Sequence, residues 1–232
     1  MVRMSESRLP SFAESDETRF SEWLRAQSEP AWTDATRHAF TRELGDGSLD
    51  SECYADYLVQ DYAFVESLVS LVGYGVGQAP TMAQKRRLVE FLDTVTDDED
   101  DYFERSFEAL GVAATAYENP PLTEPTAALC DVVGRAATTG GYAETLAVLL
   151  PVEWVYLTWA ESVDTPDDPF YYREWVTLHD NPGFTSFVSW LRDEMDTLGP
   201  TLSPRRQRRV ASLFVRAVHL EVAFFDAAYR PE

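Results

Sequence analysis

Lysine is almost missing from this chain. Lys85 is the single one in 232 residues, every other of the 19 basic side chains is an arginine, and 40 acidic residues bring the net charge to −21. A surface that acidic repels phosphate backbones and anionic lipid, which speaks against nucleic acid or a membrane as partner. Cysteine is scarce as well. Cys53 and Cys130 stand in unrelated contexts with no CxxC or Cys/His cluster, so neither a disulfide framework nor a zinc site is expected and a reducing interior is the default. No apolar run approaches the ~18 residues of a membrane span, and the polar start MVRMSESRLPSFAESDE lacks a signal-peptide core. The expected location is the cytoplasm. Also lacking are convincing strand alternation, a glycine-rich phosphate loop, GxSxG, and the Glu-x-x-His motif of di-iron helices, so no metal or cofactor is expected.

What remains is helical periodicity along nearly the whole chain, which predicts an all-α fold. Residues 1–17, rich in Ser and Glu and broken by Pro10, read as a flexible arm, and 18–232 as one domain. Phe20, Trp23, Leu24 and Gln27 open the helical part, and Trp32, Thr36, Phe40 and Leu44 continue it until Gly45 to Ser48 (GDGS) forces a turn. Asp50 or Ser51 is placed to cap the next helix, expected over 52–76. Further helices are expected over 81–95, 97–110, from 126 to the glycines at 140 and 141, from about 142 with Pro151 inside, then over 170–179, 184–198 and 203–229. The run DDEDD (97–101) reads as a solvated helix start favoured by the helix dipole. The basic cluster Arg205, Arg206, Arg208 and Arg209, on so acidic a molecule, suits intramolecular or subunit salt bridges.

Three apolar stripes carry one acid each. Asp61 interrupts Tyr54, Tyr57, Leu58, Phe64, Val65 and Leu68; Glu153 lies among Leu149, Val152, Tyr156 and Ala160; Glu221 lies among Phe214, Ala217, Val218, Phe224 and Phe225. Burying a charge costs several kcal/mol unless it is paired, and each acid taken alone has a bland reading as an edge residue or an arginine partner. Together, with Tyr57, Tyr156, Trp175 and His179 in the same patterns, they favour a polar pocket inside a helical bundle. His179 is open between a pocket donor and a helix-end residue that satisfies carbonyls.

The segments GDGSL (45–49), YLVQDYAF (57–64), LLPVEWVY (149–156), YYREW (171–175) and EVAFFDAAY (221–229), in this order and spacing, resemble the TenA or thiaminase II (aminopyrimidine aminohydrolase) family from about Phe20 to Tyr229. The resemblance implies a haem-oxygenase-like multi-helix bundle, commonly a homotetramer, whose pocket binds a small pyrimidine related to half of thiamine. By position, Asp61 would hydrogen-bond the pyrimidine, Phe64 would pack on its ring, Tyr156 would be a pocket tyrosine and Glu221 the proton-transfer carboxylate. Val152 stands where the family usually has a cysteine nucleophile, and His179 where it usually has a tyrosine. The leading reading is therefore a thiamine-salvage hydrolase of amino- or formylamino-pyrimidines, with Glu221 and Glu153 as catalytic carboxylates acting on water, Asp61, Phe64, Tyr57, Tyr156 and His179 binding substrate, and Cys130 as a remoter candidate nucleophile. A non-catalytic pyrimidine sensor or carrier is the alternative, and a tetramer or dimer is expected.

The acid-rich, lysine-poor composition is that of salt-adapted proteins. At low salt its charges repel one another unscreened, so the melting temperature is expected to rise steadily as KCl is raised from 0.1 M to molar concentrations, measured by thermal denaturation; a flat response would remove the salt-adaptation reading.

Overall fold

In a computed structural model the chain is described over residues 11–229, and among these every regular element is a helix. Residues 1–10 of the expected arm lie outside the described residues. The rest of it begins with a 3-10 turn, Phe12–Glu14, that sets Phe12 edge-on against Phe20 and Trp23. Helix α1 (Phe20–Gln27) follows. The piece expected around Trp32 to Leu44 is two helices, α2 (Ala31–Thr36) and α3 (Ala39–Gly45), because the chain leaves helical geometry at Arg37 and His38 and the His38 ring caps α3 by accepting from the Phe40 amide.

The GDGS turn behaves as its residues require. Gly47 holds a φ of +74°, the region that glycine tolerates best, and a Cβ on Gly45 would lie 2.4 Å from Val163. Asp50 then accepts from the amides of Glu52 and Cys53 at 2.9 and 3.1 Å and starts α4 (Ser51–Gln78). Helices α5 (Met82–Thr96) and α6 (Asp98–Leu110) follow, then the short α7 (Ala114–Tyr117) and, capped by Thr123, α8 (Glu124–Thr139). Helix α8 thus starts before the expected 126, since Glu124 and Pro125 already form its first turn, where proline is tolerated.

Helix α9 (Tyr142–Ala160) is the axis of the bundle. It runs through Pro151 without interruption, and between Ala143 and Ala160 only Thr158 is not buried. The sequence reading gave α9 one inward stripe; the helix is instead apolar and covered all round, as a central helix must be. Helices α2, α4, α8, α10 (Phe170–His179), α11 (Pro182–Leu198) and α12 (Pro204–Ala228) all pack against it. No helix among the described residues is long and apolar enough to cross a membrane.

One ion pair anchors the start of this axis. The Arg206 guanidinium grips Glu144 through Nε–Oε1 at 3.0 Å and Nη2–Oε2 at 2.7 Å, and Glu144 Oε2 also accepts from the Gly141 amide at 3.1 Å. The basic cluster on α12 therefore serves an intramolecular contact, as expected. Burial opposes ionisation of Glu144, yet these donors outweigh it and hold its carboxyl below the usual range. Replacement Glu144→Gln is expected to cost about 1–2 kcal/mol at pH 7, read from urea denaturation, since Arg206 is half exposed while Glu144 is not. Because the folded pKa is depressed, this difference should be present above the unfolded value and vanish as pH falls through the folded one. A gap that persists at pH 3 would assign it to packing.

Candidate functional site

A cavity of about 680 Å³ opens between α4, α5, α6, α9, α10 and α11. Its long α4 wall brings Asp61 and Phe64 one turn apart; α9 supplies Val152, Glu153 and Tyr156; α10 supplies Trp175 and His179; Phe184 and Phe187 of α11 close the side. Five of the seven residues singled out from sequence, Asp61, Phe64, Glu153, Tyr156 and His179, therefore face one space. Tyr57 and Glu221 do not line it. Tyr57 stands behind the wall, its hydroxyl 2.7 Å from that of Tyr156 and 3.4 Å from Asp61 Oδ2. Glu221, 1% exposed, lies in the same rear layer, where its charge acts on Asp61, Glu153 and Tyr156. An apolar stripe shows that a residue is buried, not which side of its neighbours it occupies, and this is why these two were placed in the pocket.

The acids here are unpaired. Asp61, Glu153 and Glu221 are 4%, 5% and 1% exposed, and among the described residues no cation pairs with them and Oε1 of both Glu153 and Glu221 has no hydrogen-bond partner. The bland reading of arginine partners does not hold for them. Burial raises the Glu221 carboxyl to about 8 and lifts Asp61 and Glu153 well above the usual range, with Glu221 adding to Asp61 and Glu99 adding to Glu153. Burial thus favours the protonated form of each, the form that a buried general acid or a carboxyl that donates a hydrogen bond uses.

His179 resolves on geometry. Its Nδ1 lies 2.9 Å from the Trp175 carbonyl, which can only accept, so Nδ1 carries the hydrogen and Nε2 is left as an acceptor. Burial lowers its pKa to about 4 and keeps the ring neutral between Tyr156, Trp175 and Phe184. Both sequence readings of this residue are thus partly met: it satisfies a helix carbonyl and faces the cavity, but as an acceptor and not a donor. Cys130, half-buried on α8, does not line the cavity, so the idea of a displaced nucleophile fails on position.

The residue that sequence reasoning missed is Glu99. It was counted with the solvated run DDEDD, yet it lines the cavity, and burial and the neighbouring Asp61 raise its carboxyl to about 8. A signal existed: Glu99 is the one acid of the run in helical phase with Tyr102, Phe103, Ser106 and Phe107, the buried face of α6.

The family model described as TENA/THI-4/PQQC family matches residues 25–231. An aminopyrimidine aminohydrolase of Halalkalibacterium halodurans is 24% identical over 214 residues, covering 90% of this chain and 95% of the relative. A TenA family transcription regulator from a Silicibacter species superposes with a TM-score of 0.83 at 24% identity, covering 92% of this chain and 97% of that one. A domain of unknown function with a heme oxygenase-like fold from Shewanella denitrificans gives 0.55 at 14% identity over 89% and 90% of the two chains, which places the all-α bundle in that fold class.

A buried acid with a raised pKa weakens the fold as pH climbs. Its favourable contribution is complete below the unfolded pKa and is lost as pH rises through the folded one, here from about 4.5 to about 8 for Glu221. Glu221→Gln is therefore expected to flatten the loss of stability between pH 5 and pH 9 by on the order of 3–5 kcal/mol, measured by urea denaturation across that range. An unchanged pH slope would mean that the side chain is solvated or paired.

Proposed function

We propose, from the premise that this chain belongs to the TENA/THI-4/PQQC family, that it is a thiamine-salvage hydrolase which cleaves the exocyclic C–N bond of an amino- or formylamino-pyrimidine with carboxylate-activated water. The observation that carries this reading is Glu153 Oε1, buried in the cavity wall beside Val152 and without a partner. The valine offers no nucleophile. Glu153, one residue away, is the base once it has given up its own proton: it takes a proton from water as the new C–O bond forms, and the C–N electron pair leaves with nitrogen. The departing group is ammonia from a protonated amine, or formamide when a formylamino nitrogen takes that proton back from the carboxyl.

Asp61 suits the other end of such a ligand. Burial, with Glu221 adding to it, pushes its carboxyl well above the usual range; in the protonated form it donates through one oxygen and accepts through the other, which matches a ring nitrogen beside an amino group. Phe64, Phe184 and Trp175 supply flat apolar walls for the ring, and His179 Nε2 one further acceptor. Glu221, out of contact with the cavity, works in this scheme through Asp61 and the Tyr57–Tyr156 pair.

Release of ammonia from aminomethyl-pyrimidine, and of formamide from formylaminomethyl-pyrimidine, in molar salt is the direct assay. Glu153→Gln is expected to lower turnover at least a hundredfold while ligand affinity stays within about tenfold, roughly 1.4 kcal/mol. Comparable turnover in that variant would sink the role of Glu153. Tight binding by the unaltered protein with release of neither product would leave a pyrimidine-binding sensor or carrier instead.

A further inference from the structure

Seven acidic side chains and two arginines line the cavity, and the two signs are sorted by depth. Both arginines belong to its outer part and are already engaged: Arg105 bonds Asp101 at 2.8 Å and Glu174 at 2.7 Å with its guanidinium over Phe170, and Arg87 lies 3.4 Å from Glu90 and over Phe187. The inner part holds Asp61, Glu99 and Glu153 with no cation and a neutral histidine. Glu99 and Glu153 come from different helices, α6 and α9, and both line this one cavity; the charge of Glu99 acts on Glu153, and that of Asp61 acts on both. One oxygen of this pair, Glu153 Oε1, is buried without a hydrogen-bond partner. Two carboxyls so placed can share a proton or embrace a cation, and burial makes either choice matter more than it would in water.

We infer that Glu99 and Glu153 together form a clamp for a protonated amine on the ligand, and that Glu99 is the residue that makes the cavity select a cationic substituent over a neutral one of the same size. The inference rests on the pyrimidine reading only for the identity of the ring. An ammonium group between the two acids stabilises their ionised form, so its arrival expels a proton from the pair and leaves Glu153 as the carboxylate that a base must be. A neutral hydroxymethyl group, the product of replacing the amine by water, gains none of this attraction. Binding thereby favours substrate over product. Glu99 is also closer to solvent than Glu153, which places it at the point where an entering cation is first met. Asp61, deeper along α4, is left to the ring edge.

The test compares matched pairs at pH 7, where a primary amine is charged: aminomethyl- against hydroxymethyl-pyrimidine, and benzylamine against benzyl alcohol, each titrated calorimetrically. The unaltered protein is expected to bind the amine of a pair at least tenfold more tightly than its alcohol. Glu99→Gln is expected to shrink that ratio below threefold while alcohol affinity changes less than threefold, and Glu99→Asp to restore part of it; a thermal melt of each variant confirms folding. Equal binding of amine and alcohol in both pairs, or a ratio unchanged in Glu99→Gln, would overturn the inference. Amine preference in the benzyl pair with no binding of either pyrimidine would retain the clamp and remove the pyrimidine reading.

Discussion

The bundle is built around a rod with no polar face, α9, and that rod carries Glu153. Leaving a carboxylate unpaired among Leu149, Leu150, Val152 and Tyr156 is costly, so burial favours the protonated acid there. The fold accommodates this by crowding rings and not cations around it. Tyr156, Trp175 and His179 form one aromatic wall of the cavity, and Tyr57 backs it through the Tyr57–Tyr156 hydroxyl bond in the layer that also holds Glu221. The cation-bearing contacts of the bundle, such as Arg206 on Glu144 and Arg192 stacked on Trp154, sit elsewhere.

The same distribution separates stability from chemistry. Where an acid is meant to hold the fold, as at Glu144, a bidentate arginine and a backbone amide keep it ionised. At the cavity's three innermost carboxyls, Asp61, Glu99 and Glu153, no arginine among the described residues forms an ion pair, whereas Glu90, Asp101 and Glu174 farther out are paired with Arg87 and Arg105. Glu99 lies at the boundary. Its neighbours Asp98 and Asp101 are exposed, with Arg105 bonded to Asp101, while Glu99 is half-buried in the cavity wall.

How far the sequence could be read follows from what periodicity measures. Amphipathic helices announced themselves, and α4 with Tyr57, Asp61 and Phe64 was legible because its polar exceptions interrupt a one-sided stripe. Helix α9 was legible as a helix but not as an axis, since a segment apolar on every side has no preferred face to read. Caps and glycines marked the α3–α4 turn through local sterics, but the break at Arg37 and His38 left no comparable mark. For the site, spacing revealed that Glu221 and Tyr57 are buried, and only the packing of α12 and α9 on α4 could reveal that they stand behind the cavity. Glu99 was hidden by its surroundings: four neighbouring acids made a solvated run the simplest reading, although its phase with Tyr102 and Phe103 distinguishes it.

The valine beside Glu153 has a consequence of another kind. With Val152 in the wall and Cys53 and Cys130 both away from it, the cavity contains no sulfur nucleophile. Its working groups are carboxyls, phenols and rings, none of which climbs the ladder from thiolate to sulfinic acid or is capped by glutathione. Chemistry carried by such groups is indifferent to the redox poise around it, and a chain built this way keeps its site intact under peroxide or thiol-modifying reagents that would silence a cysteine.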